Sequence, residues 1–517
     1  MVDKLLLRQI TLLSLPVLFS NLLQTMITVI DTIMVGRLGP IEIAAIGLGN
    51  TVRFLLFVTV MSVAGGAMSL IAQAKGSRNP ERMSIVTRQS ILSGFILSLI
   101  LGSLGSYFAE PLVRFMESGG DEKAISIAVE YLQVTFMCSP FLLLNFIQNR
   151  LMQGAGDTFT PLMITIVLIV LNVVFNYVFI FGWGFIPSFG VTGAAIGTGL
   201  SRGIMMVFGL WLFYSGKNVV KIIKDKSGWR PNWEIIKDIL NIGIPSGIQG
   251  FFRHVANVVV IKLVTATSLG TLGAAAFAIG IQVEQFVMQP VLGINVAGTS
   301  LIGQAIGRWQ TKLAFYKGNI MIALGIIIMI IFITPVVLFP QHVIRVFDPS
   351  ANATIIESAK SFFYFNMAIM PFYAVAIVTT GTMRGAGDTK PAMISSIIGR
   401  NFLTILCAWY FAFPLGMDYT GVWIGMVIGK CFDFVFMSIF WYRRGWFYVA
   451  LKKTELYRTH LTEFSMEGLI QFTKEVRGPR MAEKGMVEIV NETGVLYQSE
   501  KSKHQYRFTK KGFSKVV

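Results

Sequence analysis

Apolar runs of about 20 residues or more, the length a bilayer core about 30 Å thick requires of a helix, recur twelve times along this chain. They lie near 10–34, 43–72, 86–109, 127–152, 162–183 and 189–214, then near 242–266, 272–303, 317–339, 357–383, 392–414 and 418–441. Within hydrocarbon every backbone N–H and C=O must find an internal partner, so only helices and closed barrels cross it. Barrel strands alternate apolar and polar residues over about ten positions, whereas these runs are longer and evenly apolar. The expected fold class is therefore an all-α membrane protein with twelve transmembrane helices. Composition agrees: charged residues are 14% of the 517 and mean hydropathy is +0.65, against about 25% charged in a soluble domain. A soluble enzyme, a disordered chain and a secreted disulfide scaffold are all excluded.

The net charge of +17 would suggest a nucleic-acid partner if it were gathered on a soluble face. It is sorted by loop instead. One side collects Lys75, Arg78, Arg82 and Arg88, then Lys217, Lys221, Lys224, Lys226, Arg230 and Lys237, then Arg308, Lys312 and Lys317. The other side has short or acidic loops with Glu110, Glu117, Asp121, Glu122 and Asp418. By the positive-inside rule this predicts a multi-pass protein of the plasma membrane with both termini cytoplasmic and no nucleic-acid partner. Cys138, Cys407 and Cys431 sit in apolar runs without zinc-ligand spacing, and the four histidines are scattered, so neither a disulfide framework nor a histidine metal site is expected. No cleavable signal peptide is expected at the start, where Lys4 and Arg8 precede the first run.

The two halves of the chain repeat. GAGDT at 154–158 returns at 385–389, and SLIAQAKG at 69–76 returns as SLIGQAIG at 300–307, each 231 positions later. Pro16 has a counterpart in Pro245, and GAAIG at 193–197 resembles GVWIG at 421–425. Matches in the same order at nearly constant offset indicate a duplication. Six spans per half is an even number, so the halves are parallel repeats about an axis along the membrane normal, and rocking of one bundle against the other would give alternating access. The predicted organisation is a six-helix lobe at 1–214, a basic linker at 215–241, a second six-helix lobe at 242–442 and a basic cytoplasmic tail at 443–517. In the tail, 486–490 and 495–499 flank Asn491-Glu492-Thr493-Gly494 and suggest a small hairpin.

Polar residues inside spans are costly and mark function by default. Asn21, Gln24, Thr28 and Asp31 form one stripe on the first helix, which should point into the first bundle. Asp31 is either a functional carboxylate or a cap near the helix end. Asn172 and Asn176, one turn apart, either join Asp31 around a hard cation or bond neighbouring helices. In the second half Gln249, Arg253 and Asn257 follow one another by turns. Glu284 lies at a depth that suggests a pair with Arg253, and Arg400 a pair with Asp433. Gln282, Gln285 and Gln289 line another face of the eighth helix. The 25 methionines and 12% aromatic content either line an adaptable cleft or simply pack helices. No nucleotide loop or Ser/His/Asp set is present, and GAGDT lacks the Lys-Ser/Thr of a phosphate loop. It reads as a helix end and tight turn. No enzyme activity and no cofactor are expected.

With DTIMVGRLG at 31–39, SLIAQAKG at 69–76, GAGDT at 154–158, MRGAGDT at 383–389 and GVTGAAIGTGLSR at 190–202, the chain resembles the multidrug and toxic compound extrusion (MATE) family over about residues 5–445. The resemblance implies two lobes in a V and secondary active antiport, exporting cationic or amphipathic drugs and metabolites in exchange for H⁺ or Na⁺. It matches the family's first-lobe cation site to Asp31, Asn172 and Thr198, with Asn176 where the family often has Asp. Where some members carry carboxylates in the seventh and tenth helices, this chain has Arg253 and Tyr373. The cation-coupling set is thus Asp31, Asn172, Asn176 and Thr198, with the same four as the Na⁺ ligands if Na⁺ is the ion. The cleft set is Gln24, Thr28, Gln249, Arg253, Asn257, Gln282, Glu284 and Gln285, and Pro16 is the bending point. Partners are small cationic or amphipathic molecules and membrane lipids, and the protein acts as a monomer. The alternative is a lipid-linked oligosaccharide flippase of the same superfamily, which would favour a more cationic cleft and extra helices.

Overall fold

The structure, a computed structural model, describes residues 4–116, 122–223, 228–349 and 351–446 and four strands between 486 and 515. Glu117, Asp121, Lys224, Lys226, Glu492 and Thr493, named above, lie outside the described residues, as do 447–485 of the tail. The first half contains α1 (Lys4–Gly36), α2 (Pro40–Gly76), α3 (Pro80–Tyr107), α4 (Ala109–Met116), α5 (Glu122–Met137), α6 (Ser139–Gly154), α7 (Phe159–Phe181) and α8 (Gly190–Ser215). The second half contains α9 (Trp233–Thr265), α10 (Gly270–Gly307), α11 (Thr311–Leu338), α12 (Pro340–Phe347), α13 (Ala353–Gly385), α14 (Lys390–Ser395), α15 (Thr404–Ala412) and α16 (Asp418–Tyr442).

Twelve spans arise from these helices. Ten segments are long and apolar enough to cross a membrane, with Lys390–Ala412 counted as one. α5 and α6, bent by 52°, together make another. The 37-residue α2 completes the set at about 55 Å of helix. Lipid-facing sides are visibly apolar: Val167, Val170 and Val174 on α7 and Ile327, Ile330 and Ile331 on α11 are all exposed.

Four departures from the sequence reading have local causes. The fourth span is broken where Pro140 follows Cys138 and Ser139 at the start of α6, because proline has no N–H with which to continue the ladder. The eleventh span is interrupted by a π-helical stretch, Ser396–Leu403, where Asn401 Nδ2 and Thr404 Oγ1 bond carbonyls five residues back, those of Ser396 and Gly399. α9 begins inside the stretch read as linker, at Trp233, because Asn232 Oδ1 accepts from the N–H groups of Glu234 and Ile235, a helix start of the usual kind. The linker itself packs on α3: Gln89 donates to Arg230 O and accepts from Asn232 N, at 2.9 and 3.0 Å. Finally, two short helices lie outside the predicted spans. α4 and α12 start at Ala109 and Pro340, the same 231 positions apart, so they extend the repeat.

The repeated motifs meet one another between the halves. GAGDT ends α6 and α13: Gly156 and Gly387 take positive φ, +87° and +82°, and the following N–H groups of Asp157 and Asp388 bond Met152 O and Met383 O at 2.9 and 3.0 Å. This is a Schellman end, as glycine allows. The carbonyl left over at each helix end is used across the molecule. Gly385 O accepts from Ser69 Oγ (3.2 Å) and Gln73 Nε2 (3.0 Å) of the first half. Gly154 O accepts from Ser300 Oγ (3.0 Å) of the second. Ser69 and Ser300 are repeat equivalents, as are the two glycines. Beside them, a Cβ on Gly76 would lie 2.2 Å from Gln304 O and one on Gly307 2.1 Å from Gln73 O, so only glycine permits this backbone approach.

A second compact unit, Arg444–Val517, holds an antiparallel meander of β1 (Met486–Asn491), β2 (Gly494–Ser499), β3 (Gln505–Thr509) and β4 (Gly512–Lys515). The sequence suggests one hairpin there; two further strands extend it.

Candidate functional site

Asp31 on α1 faces α7 and α8. Asn176 Nδ2 donates to Asp31 Oδ1 at 2.6 Å, and the same amide reaches Asn172 Oδ1 at 3.3 Å. Asn172 Nδ2 donates to Thr198 Oγ1 at 3.1 Å, and Thr198 Oγ1 makes a long 3.5 Å contact with Asp31 Oδ2. Both asparagines are fully buried and Thr198 is nearly so. Asn176 Oδ1 is buried without a hydrogen-bond partner, although it lies next to Gly197, where a Cβ would fall 2.3 Å away. The four residues therefore form one cluster in which a carboxylate, a hydroxyl and two carboxamides converge. Its unsatisfied oxygen is costly unless something arrives to use it.

The rest of the α1 stripe turns elsewhere. Asn21, Gln24 and Thr28 line a cavity of about 680 Å³ between the two halves, not the interior of the first bundle. At 100° per residue the stripe is about 80° wide, enough for one edge to face the cavity and the other, at Asp31, to face α7.

In the second half Glu284 pairs with Lys430 of α16, not with Arg253. Lys430 Nζ lies 2.8 Å from Glu284 Oε2, with the two side chains 4% and 3% exposed, and reaches Asn366 Oδ1 at 3.3 Å. Arg253 is turned to the cavity, out of that core. Arg400 and Asp433 are not an ion pair either. Arg400 donates to the Tyr373 hydroxyl and lies over its ring, 5.4 Å from the centroid, while Asp433 Oδ1 accepts from Ser395 Oγ at 2.6 Å. The π-helical stretch carries Arg400, and its extra residue per turn changes the face on which this side chain leaves the helix.

Of the residues expected to line a cleft, Gln24, Thr28, Gln249, Arg253 and Gln285 do so, whereas Asn257, Gln282 and Glu284 do not. Glu284 is sealed with Lys430, and Gln282 is exposed on another face of α10. Gln289, Met61, Met68, Met288 and Met437 add to the lining. Sequence reasoning missed the arginines. Arg150, Arg202 and Arg384 also face the cavity. The available signal was position: Arg150 one turn before GAGDT, Arg384 directly before its repeat, and Arg202 midway along a span.

Comparison with known proteins agrees with this architecture. The profile of the MatE family matches residues 16–178 and 245–410, one segment in each half. A probable multidrug resistance protein NorM of Thermotoga maritima is 29% identical over 456 residues, 85% of this chain and 93% of that one. An outward-facing structure of a multidrug resistance MATE family transporter of the MOP superfamily superposes with a TM-score of 0.78 at 25% identity, covering 86% of this chain and 96% of that one. A MOP superfamily transporter from Pyrococcus furiosus gives 0.77 at 25% identity over 84% and 95%, and is described as having a binding pocket of reverse polarity that suggests a different function.

Proposed function

The chain belongs to the MatE family, and from that premise we propose that it is a secondary active antiporter that extrudes small amphipathic molecules across the plasma membrane. The two lobes, 1–214 and 242–442, rock about the cavity between them, joined by the linker at 215–241. Both termini face the cytoplasm, on the side of the basic loops and of the bonds between the repeated motifs. The tail at 443–517 is an accessory, and one chain is the working unit.

The observation that carries this reading is the Asp31 cluster beside, but outside, the cavity. A cation entering it meets the Asp31 carboxylate, the Thr198 hydroxyl and the carboxamide oxygen of Asn176 that has no partner. Hard cations take such oxygen ligands, and a proton needs only the carboxylate. With one fixed negative charge the cluster suits H⁺ at least as well as Na⁺. Ion and substrate then bias the same lobes from different places, as alternating access requires. Pro16 in α1, whose ring removes a backbone bond, provides the bending point.

The test is flux in proteoliposomes under a Na⁺ or an H⁺ gradient imposed separately, with ethidium and fluorescein as cargo. Asp31→Asn is expected to abolish gradient-driven movement while the protein is still made and folded. Near-normal flux in that variant sinks the role of Asp31, and no flux of either dye in the wild type sinks the antiport reading.

A second reading has one observation in its favour. Flipping of a lipid-linked oligosaccharide suits an arginine-lined cleft, although the twelve-span body lacks the extra helices expected of such a flippase.

A further inference from the structure

The charge of the cavity points away from the cationic substrates that the resemblance implies. Five arginines, Arg150, Arg202, Arg253, Arg384 and Arg400, line it, against one carboxylate, Asp433. The other acidic residue nearby, Glu284, is already neutralised by Lys430 at 2.8 Å.

Among the described residues Arg150, Arg253, Arg384 and Arg400 form no ion pair with a carboxylate. Arg150 donates to Gln153 Oε1 at 3.0 Å and lies over the Phe146 ring, and Arg400 is held by Tyr373. Among the described residues Arg253 has no hydrogen-bond partner, and the buried Arg384 Nε has none. Like charges gathered inside a membrane body, with a single carboxylate against five of them, are expensive. Guanidinium groups are also the side chains best suited to grip a planar or tetrahedral anion through paired N–H bonds. The remaining lining is apolar and adaptable, with Met61, Met68, Met288 and Met437 around it. A cavity of about 680 Å³ is of the size that holds a small organic ligand.

From this we infer that the cavity takes an amphipath with an anionic head, a phosphate, sulfonate or carboxylate, whose apolar body rests on the methionines while Arg253, Arg384 and Arg400 hold the head. The inference rests on the transport reading and names its cargo. The repeat makes the assignment sharper. At the offset that relates Pro16 to Pro245, Gln24 of the first half corresponds to Arg253 of the second, and both line the cavity. Three of the five arginines, Arg253, Arg384 and Arg400, come from the second half, and Arg150 and Arg202 from the first.

The experiment compares fluorescein with rhodamine 123, two dyes with the same xanthene body and opposite charge, bound to the purified full chain in detergent at pH 7.5. Fluorescein is expected to bind at least about tenfold more tightly, and Arg253→Gln to weaken it about tenfold, the usual effect of losing a charged hydrogen bond. Arg253→Lys should retain most of the affinity for fluorescein. Gln249→Glu, which adds a carboxylate to the same lining without removing an arginine, should shift the preference toward rhodamine 123 and guards against a misfolded Arg253 variant. Equal or tighter binding of rhodamine 123 by the wild type overturns the inference, as does fluorescein binding indifferent to both Arg253→Gln and Gln249→Glu. Proteoliposomes then separate the sources of the anion: fluorescein flux indicates a soluble cargo, and dithionite-detected flipping of NBD-labelled phosphatidic acid indicates a lipid head group. Arginine-dependent fluorescein binding without movement of any probe under either gradient leaves the cargo assignment standing and removes the transport reading. Gradient-driven rhodamine 123 flux without fluorescein binding does the reverse.

Discussion

A methyl group added at Gly197 would lie 2.3 Å from Asn176 Oδ1. Gly197→Ala is therefore expected to push that carboxamide off Asp31 and to lower ion-coupled flux, while fluorescein binding in the separate cavity stays unchanged. Asn176→Asp acts oppositely. It puts a second carboxylate where Asn176 now reaches Asp31 at 2.6 Å, which should tighten Na⁺ and strengthen Na⁺-dependent substrate release at fixed pH. Identical Na⁺ responses in wild type, Asn172→Ala and Asn176→Asp would reduce these asparagines to bonds between helices. In the other lobe, Lys430→Met strands the Glu284 carboxylate in a site 3% exposed. Breaking a buried pair in this way costs about 3–5 kcal/mol, read as a fall in thermal midpoint. Adding Glu284→Gln to the same chain should recover most of it, and equal midpoints for single and double variants would show that the pair carries no such load. Asp31, Asn172 and Asn176 were legible as candidates because polar groups inside apolar runs are few and the two asparagines lie one turn apart, whereas Thr198 came only from the family resemblance. Arg150, Arg202 and Arg384 were missed. Arg150 and Arg384 stand near helix ends, where an arginine usually snorkels to the interface, and Arg202, midway along α8, was passed over although an arginine inside a span is itself a signal. The Glu284 partner was misread for a related reason: matching depth selects candidates, but only the packing of α10 against α16 chooses Lys430 over Arg253.

At the scale of elements, hydropathy located the twelve spans because it measures exactly what the bilayer selects, length and apolarity. It did not find the break between α5 and α6 or the π-helical stretch before α15, because both are changes of backbone register that leave composition alone. It also passed over α4 and α12, eight residues each, too short to cross and apolar on one side only. The repeated motifs were legible as turns, yet their main task is between elements. Each hydroxyl, Ser69 and Ser300, holds the last carbonyl of a helix in the other half at 3.2 and 3.0 Å. Replacing both serines by alanine removes two bonds worth about 1 kcal/mol each. The motif ends of the lobes should then separate more often, which spin labels at Arg78 and Arg308 would report as a longer and broader distance distribution. An unchanged distribution would mean that the glycine contacts alone keep these ends together.

At the scale of the molecule, the six-helix lobes and the β-meander are separate compact units, so deletion of 447–517 is expected to leave gradient-driven flux intact in proteoliposomes, with Trp446, which is buried, retained. Loss of flux with normal folding would instead make the tail part of the transport cycle. The bonds between the repeated motifs carry a further implication. A surface on which each half offers the same donor to the same acceptor of the other is isologous, the arrangement of a two-fold homodimer. A single half of this kind would already be complementary to its own copy, and fusion would have preserved the contact while releasing the rest from equality. Gln24 opposite Arg253, and a first-lobe carboxylate cluster opposite a second-lobe Lys430–Glu284 pair, are what that release permits: a symmetric hinge that can carry two unlike payloads.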